Sequence, residues 1–170
     1  EALRSVLPPN PQLHYLVIGQ RHSEKAESRE YERELHRLAQ SPPLAGRVHF
    51  LGRRDDIPHL LNELSLLVHL ARQEPLGRVL LEAAATGCCV VATRVGGTEE
   101  IFPPESNAAW LVNPERPEEA AEAINRLLHE PTTRQALCAA ARRRAESTFG
   151  NIPAAKTLFR HYSELTGWST

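Results

Sequence analysis

Short apolar runs alternate with longer segments of helical character, and this alternation restricts the chain more than any other feature. HYLVIG (14–19), RVHFLG (47–52), LLVHLA (66–71) and the valine-rich CCVVATR (88–94) have the length and flanks of strands buried on both faces. Between them, residues 23–39 carry Tyr31, Leu35 and Leu38 among many charges, the narrow stripe of a surface helix. IPHLLNELS (57–65) and PLGRVLLEAAATG (75–87), the latter closed by Gly87, read as further helices. Strands that alternate with helices pair in parallel, because right-handed crossovers lay the helices on both sheet faces. The expectation is a Rossmann-like, doubly wound parallel sheet in one domain spanning residues 1–170. Beyond AWLV (109–112), three helical segments separated by breakers, 117–130, 132–149 and 151–165, finish the chain. The opening EALRSVLPPNP reads as the end of a helix stopped by prolines, as if the chain began in mid-fold.

Charge excludes several partners. With 20 basic and 21 acidic residues the net charge is −1, which supplies no electrostatic footprint for nucleic acid or an anionic membrane. Any anion must therefore be met by local geometry. Cys88 and Cys89 are adjacent and Cys138 lies in a separate helical segment, so the three cysteines have no metal or redox spacing and read as buried thiols. The eight histidines form no H-E-x-x-H or other close ligand set, and they read as surface or packing residues. Walker loop, nucleophile elbow and G-x-G-x-x-G fingerprint are all absent, against a P-loop nucleotidase, a triad hydrolase or a nicotinamide dehydrogenase. Nothing resembles a signal peptide, and no run approaches the roughly 20 apolar residues of a membrane span, so a cytoplasmic protein is expected.

In an open α/β sheet the ligand sits beyond the carboxyl ends of the strands. The loop after LLVHLA holds Glu74-Pro75-Leu76-Gly77-Arg78-Val79-Leu80-Leu81-Glu82. Were the helix to extend back to Glu74, its two acids would lie about 12 Å apart at helical rise. That exceeds the roughly 9.5 Å upper separation of carboxylates that act on one bond; two acids so placed suit a grip on two parts of one long ligand. The amides near Leu76, Gly77 and Arg78, at a helix start, are expected to be unpaired and ready for a phosphate, while ionised carboxylates accept from vicinal hydroxyls. Taken singly, Glu74 reads as well as a charge that favours a helix N-terminus, and Glu82 as an i,i+4 partner of Arg78. Glu82 lies in the apolar stretch VLLEAAA, where a largely buried charge needs a partner or a cleft. Gly96-Gly97, after CCVVATR, permits positive φ and close backbone approach to a ligand, although a Gly-Gly pair is more often just a turn. Arg142, Arg143 and Arg144 read as a solvated helix face or a contact to a neighbour.

EPLGRVLLEAAATGCCVVATRVGGTEEI resembles the E-x7-E signature, following strand and glycine loop of the group 1 retaining glycosyltransferases of GT-B fold. A looser likeness runs from HYLVIG through RVHFLG to the terminal helices. The resemblance implies one half of a GT-B fold, the donor-binding domain without its first strand, that strand and the N-terminal acceptor domain preceding Glu1. By position, it implies that Glu74 meets the donor sugar, Glu82 the ribose, and the amides around Gly77, Arg78 and Val79, beside Leu76, the distal phosphate. The base would lie near Gly19 and the Gly52-Arg53-Arg54 loop; Gly96, Gly97 and Glu100 match the family's glycine loop and following acid. A UDP- or GDP-sugar is the implied substrate, with no metal or other cofactor, and the isolated domain is expected to be inactive. Membrane association would come only peripherally, through the N-terminal half. Departures from the pattern are Cys89 for proline, Ala109 for glycine, Leu70-Ala71 for Pro-Ser, and Leu76 for phenylalanine. A GT-B-related epimerase or a non-catalytic interaction domain would share this architecture.

Overall fold

The computed structural model describes residues 1–167. Five parallel strands form two sheets. β1 (Tyr15–Ile18) pairs with β2 (Val48–Gly52), and β3 (Leu67–His69) pairs with β4 (Val90–Thr93), which pairs with β5 (Trp110–Val112). Among the described residues, helices α1 (Ala2–Val6), α2 (Ala26–Ala39), α3 (Ile57–Glu63), α4 (Arg78–Thr86), α5 (Gly97–Ile101), α6 (Pro117–His129), α7 (Pro131–Thr148) and α8 (Asn151–Thr166) accompany the strands, with a 3-10 turn at Pro104–Ser106.

β4 shows why the domain is wound on both sides. All four of its residues are buried, and Val90, Val91 and Ala92 alternate between two cores, as the two-residue period of a strand requires. Val90 and Ala92 face Leu61, Leu80, Ala83, Phe102 and Ala141, supplied by α3, α4, the segment after α5, and α7. Cys89, just before the strand, and Val91 face Val6, Ala120, Ile124 and Leu127, supplied by α1 and α6. An apolar run without polar alternation is thus what a strand needs when helices cover both its faces.

β1 and β3 carry free edges on either side of an apolar groove of about 610 Å³, lined by Tyr15, Leu16 and Ile18 on one wall and Leu67, Val68 and His69 on the other. Among the described residues no helix is long and apolar enough to cross a membrane.

Some sequence-based boundaries move. α2 starts at Ala26 rather than at residue 23, and Tyr31, assigned to its apolar stripe, is exposed. α4 starts at Arg78 because Gly77 takes the left-handed conformation (φ 73°), so Glu74 lies in a loop and the helical-rise separation between the acids does not apply. Cys138, remote in sequence, packs beside Cys89 in the α6-side core. Burial pushes the Cys88 thiol up to about 11 and the Cys89 thiol to about 12, so neither is a ready nucleophile.

Thr98 of α5 is fully buried and its hydroxyl has no hydrogen-bond partner among the described residues. A buried unpaired hydroxyl is a cost. Thr98→Val should therefore raise stability by about 1 kcal/mol, read as a higher urea midpoint at unchanged slope.

Candidate functional site

β3 ends at His69 and β4 at Thr93, side by side in the register His69↔Ala92, and the loop bearing Glu74 leaves the sheet here. The end of β4 and the start of α5 pin that loop. The Thr93 hydroxyl donates to the Ala71 carbonyl at 2.5 Å, and the Gly97 amide donates to the Glu74 carbonyl at 2.8 Å.

The glycine pair is explained by proximity. Gly96 adopts φ 48° and ψ −131°, and a Cβ there would stand 2.4 Å from the Glu74 carbonyl oxygen. A Cβ on Gly97 would stand 2.9 Å from the Pro75 carbonyl oxygen. Only glycine lets the β4–α5 turn lie this close to the Glu74 backbone. The pair forms a turn whose close approach is to the protein's own loop, at the Glu74 and Pro75 carbonyls.

α5 is held at its other end by α7. Arg144 donates to the Ile101 carbonyl and, at 2.9 Å, to that of Glu100, while its guanidinium lies 5.5 Å from the Phe149 ring centroid. The arginine run is therefore not a uniform solvated face: Arg144 caps α5 and Arg142 pairs with Glu146 at 3.1 Å. The Glu100 side chain is exposed, and its carbonyl is what Arg144 engages.

The Glu74 carboxylate is well ordered by its neighbours. Oε1 accepts from the amides of Leu76 at 3.2 Å and Gly77 at 2.6 Å, and Oε2 sits 2.7 Å from His69 Nε2. Burial pushes its pKa up, but the bonds from His69, Gly77 and Leu76 outweigh this and hold it below the usual carboxylate range. Glu74 is therefore ionised at neutral pH. These bonds correct one expectation: the Leu76 and Gly77 amides are not unpaired, because Glu74 itself occupies them. The amides of Arg78 and Val79, the first two of α4, have no partner among the described residues. They are the anion-ready donors at this helix start.

Glu82 is also corrected. Its side chain is 41% exposed rather than largely buried, and its contact with Arg78, itself 80% exposed, is a loose 3.7 Å. A pair so solvated contributes little. With His69 and Val79 it lines the mouth of the groove between the sheets. The apolar residues around it are buried because they lie on the other faces of α4, a distinction that local composition does not carry.

The structure thus gathers Glu74, Leu76, Gly77, Arg78, Val79, Glu82, Gly96 and Gly97 around one strand end. The remaining candidates belong to the other sheet. The Gly19 amide donates to the Gly52 carbonyl at 2.8 Å where β1 and β2 end. Gly19 borders an open cavity of about 740 Å³ with Gln20, Arg21, Glu27 and Tyr31. Arg54 is engaged by Asp56 through two bonds of 2.8 and 2.6 Å, and Arg53 faces Asp55 at 3.4 Å, so both arginines are already paired within their loop. Among the described residues no group of three or more His, Cys, Asp or Glu side chains stands close enough to hold a metal ion.

Sequence reasoning passed over His69, although it has one legible mark, as the only polar residue of LLVHLA, at its carboxyl end. For Arg144 the sequence offered a solvated face or a contact to a neighbour but not the target, which lies 43 residues away.

Comparison with known proteins points the same way. The chain is 31% identical over 166 residues to spore coat protein SA of Bacillus subtilis, an alignment that covers 96% of this chain and 44% of that protein. Its fold superimposes on Anabaena HepE in complex with UDP at a TM-score of 0.85 with 28% identity, covering 96% of this chain and 43% of the other. The HepE complex with UDP-glucose gives a TM-score of 0.83 at the same identity and coverage. The chain thus spans less than half the length of these relatives. Residues 1–144 match the sequence profile of Glycosyl transferases group 1. With that match over most of its length and the parallel α/β architecture of GT-B structures, this chain belongs to the group 1 glycosyltransferase family.

Proposed function

We propose that this chain is the nucleotide-sugar-binding half of a retaining glycosyltransferase, which moves a glycosyl group from an NDP-sugar to an acceptor held by a second, N-terminal domain. The observation that carries the reading is the loop at the end of β3. There an ionised Glu74, the unpartnered amides of Arg78 and Val79, and the half-exposed Glu82 follow one another into α4. Glu74 accepts from the sugar, the two amides meet the distal phosphate, and Glu82 takes the ribose hydroxyls. Gly19 and the Gly52-Arg53-Arg54 loop border the base. UDP and UDP-glucose bound to HepE support a nucleotide-sugar ligand.

Physically, such a site positions the donor and meets the charge that grows on the departing diphosphate with fixed main-chain dipoles, while the acceptor attacks from the same face. The reading assigns no role to a metal or other cofactor, and it places the protein in the cytoplasm. The domain alone binds donor weakly and transfers nothing, since the acceptor is held elsewhere.

Titration calorimetry of UDP- and GDP-sugars into the intact protein and its Glu82→Ala variant tests the assignment. A carboxylate that holds ribose hydroxyls supplies roughly 1.5–3 kcal/mol, so the variant should bind about 10- to 100-fold more weakly. Identical heats for both proteins would remove Glu82 from the site.

A further inference from the structure

Glu74 sits on a loop, yet three donors from the protein itself already address its carboxylate. Each carboxylate oxygen offers about two acceptor positions. Oε1 uses both of its own on the Leu76 and Gly77 amides, whereas among the described residues Oε2 meets only His69 Nε2. One acceptor position therefore remains, on Oε2, beside the imidazole. A carboxylate held ionised only accepts, so the proton in the 2.7 Å contact sits on Nε2. The imidazole in turn is fixed by the sheet: His69 is the last residue of β3, in register with Ala92 of the fully buried β4, and its side chain is only 25% exposed.

From this we infer that His69 is a positioning residue for sugar recognition: by holding Oε2 of Glu74 from the rigid end of β3, it turns the single open acceptor position toward the donor's sugar hydroxyl. The inference rests on the donor reading above and deepens it. His69 acts through Glu74, so it governs the sugar end of the ligand and leaves untouched the phosphate and ribose, which are held by α4, and the base, which lies at the other sheet. A His69 that merely kept the loop folded would instead affect the whole ligand, because the Arg78 and Val79 amides begin where that loop ends.

The test measures binding of two ligands to the intact protein and two variants: the tightest nucleotide sugar of a UDP- and GDP-hexose panel, and its parent nucleoside diphosphate. His69→Leu keeps apolar bulk and removes the donor; His69→Gln restores an N–H at similar reach. The expected result is about tenfold weaker nucleotide-sugar binding by His69→Leu, diphosphate binding within twofold of wild type, and recovery of most of the loss by His69→Gln. Unchanged nucleotide-sugar binding by His69→Leu, or equal weakening of both ligands, overturns the inference while the donor reading stands. Failure of the wild-type protein to bind either ligand overturns the donor reading itself, and this inference with it.

Discussion

Gly96→Ala is expected to lower the melting temperature by roughly 6–12 °C and to cut kcat/KM on the order of 100-fold. Two costs combine. At φ 48° and ψ −131° a side chain is strained by about 1–3 kcal/mol. The added methyl would also stand 2.4 Å from the Glu74 carbonyl oxygen, a main-chain atom that yields only if the whole loop moves. Together they amount to about 3 kcal/mol, and each kcal/mol shifts the melting temperature by roughly 2–4 °C in a chain of this size. The catalytic loss in the intact protein follows from the role proposed for Glu74, which the displaced segment carries, since a misplacement of about 1 Å costs roughly 100-fold. Gly46→Ala is the control. Gly46 also has positive φ (74°), but nothing lies within 4 Å of its would-be Cβ, so it bears only the strain, about 1 kcal/mol. Scanning calorimetry and donor kinetics on both variants separate backbone strain from close approach; equal effects at the two positions would refute this account of the glycine pair.

On the role proposed for Glu74, Glu74→Gln in the intact protein should reduce kcat by about 10²–10³ while leaving the fold intact, the range seen when one preorganised group is removed from a reacting centre. It also removes a charged acceptor from three donors, a stability loss of about 2 kcal/mol at pH 7. The pH dependence has a defined sign. The folded-state pKa of Glu74 lies below its ordinary value, so the stabilisation by the ionised form is complete above about pH 4.3 and is lost as the pH falls through the lowered value. Urea midpoints of wild type and Glu74→Gln should differ at pH 7 and converge as the pH falls through that lowered value. A gap that persists undiminished into acid would show that the charge is not what holds the loop.

Much of the architecture was legible because it depends on patterns that local chemistry enforces. An uninterrupted apolar run such as CCVVATR is stable only with both faces covered, and β4 indeed serves two cores. Gly87 announces the end of α4 because the left-handed C-cap it adopts (φ 75°) strains other residues. The Glu74 to Glu82 stretch was recognisable by spacing. What spacing leaves open is which way each group faces: the same stretch predicted free amides at Leu76 and Gly77, and the folded loop satisfies them with Glu74.

The sequence by itself determined the fold class, the alternation of strands and helices, and the stretch that carries the acids, because these follow from short-range periodicity and from backbone positions only glycine tolerates. Only the tertiary structure decided that Gly96 and Gly97 serve the Glu74 loop, that Arg144 caps α5 from α7, that His69 holds Glu74, and that Glu82 is half exposed. Each of these is a contact between segments whose separation along the chain bears no relation to their distance in space. Such contacts form when helices dock on a sheet, and they are set by the packing of whole elements rather than by the residues next to them in sequence.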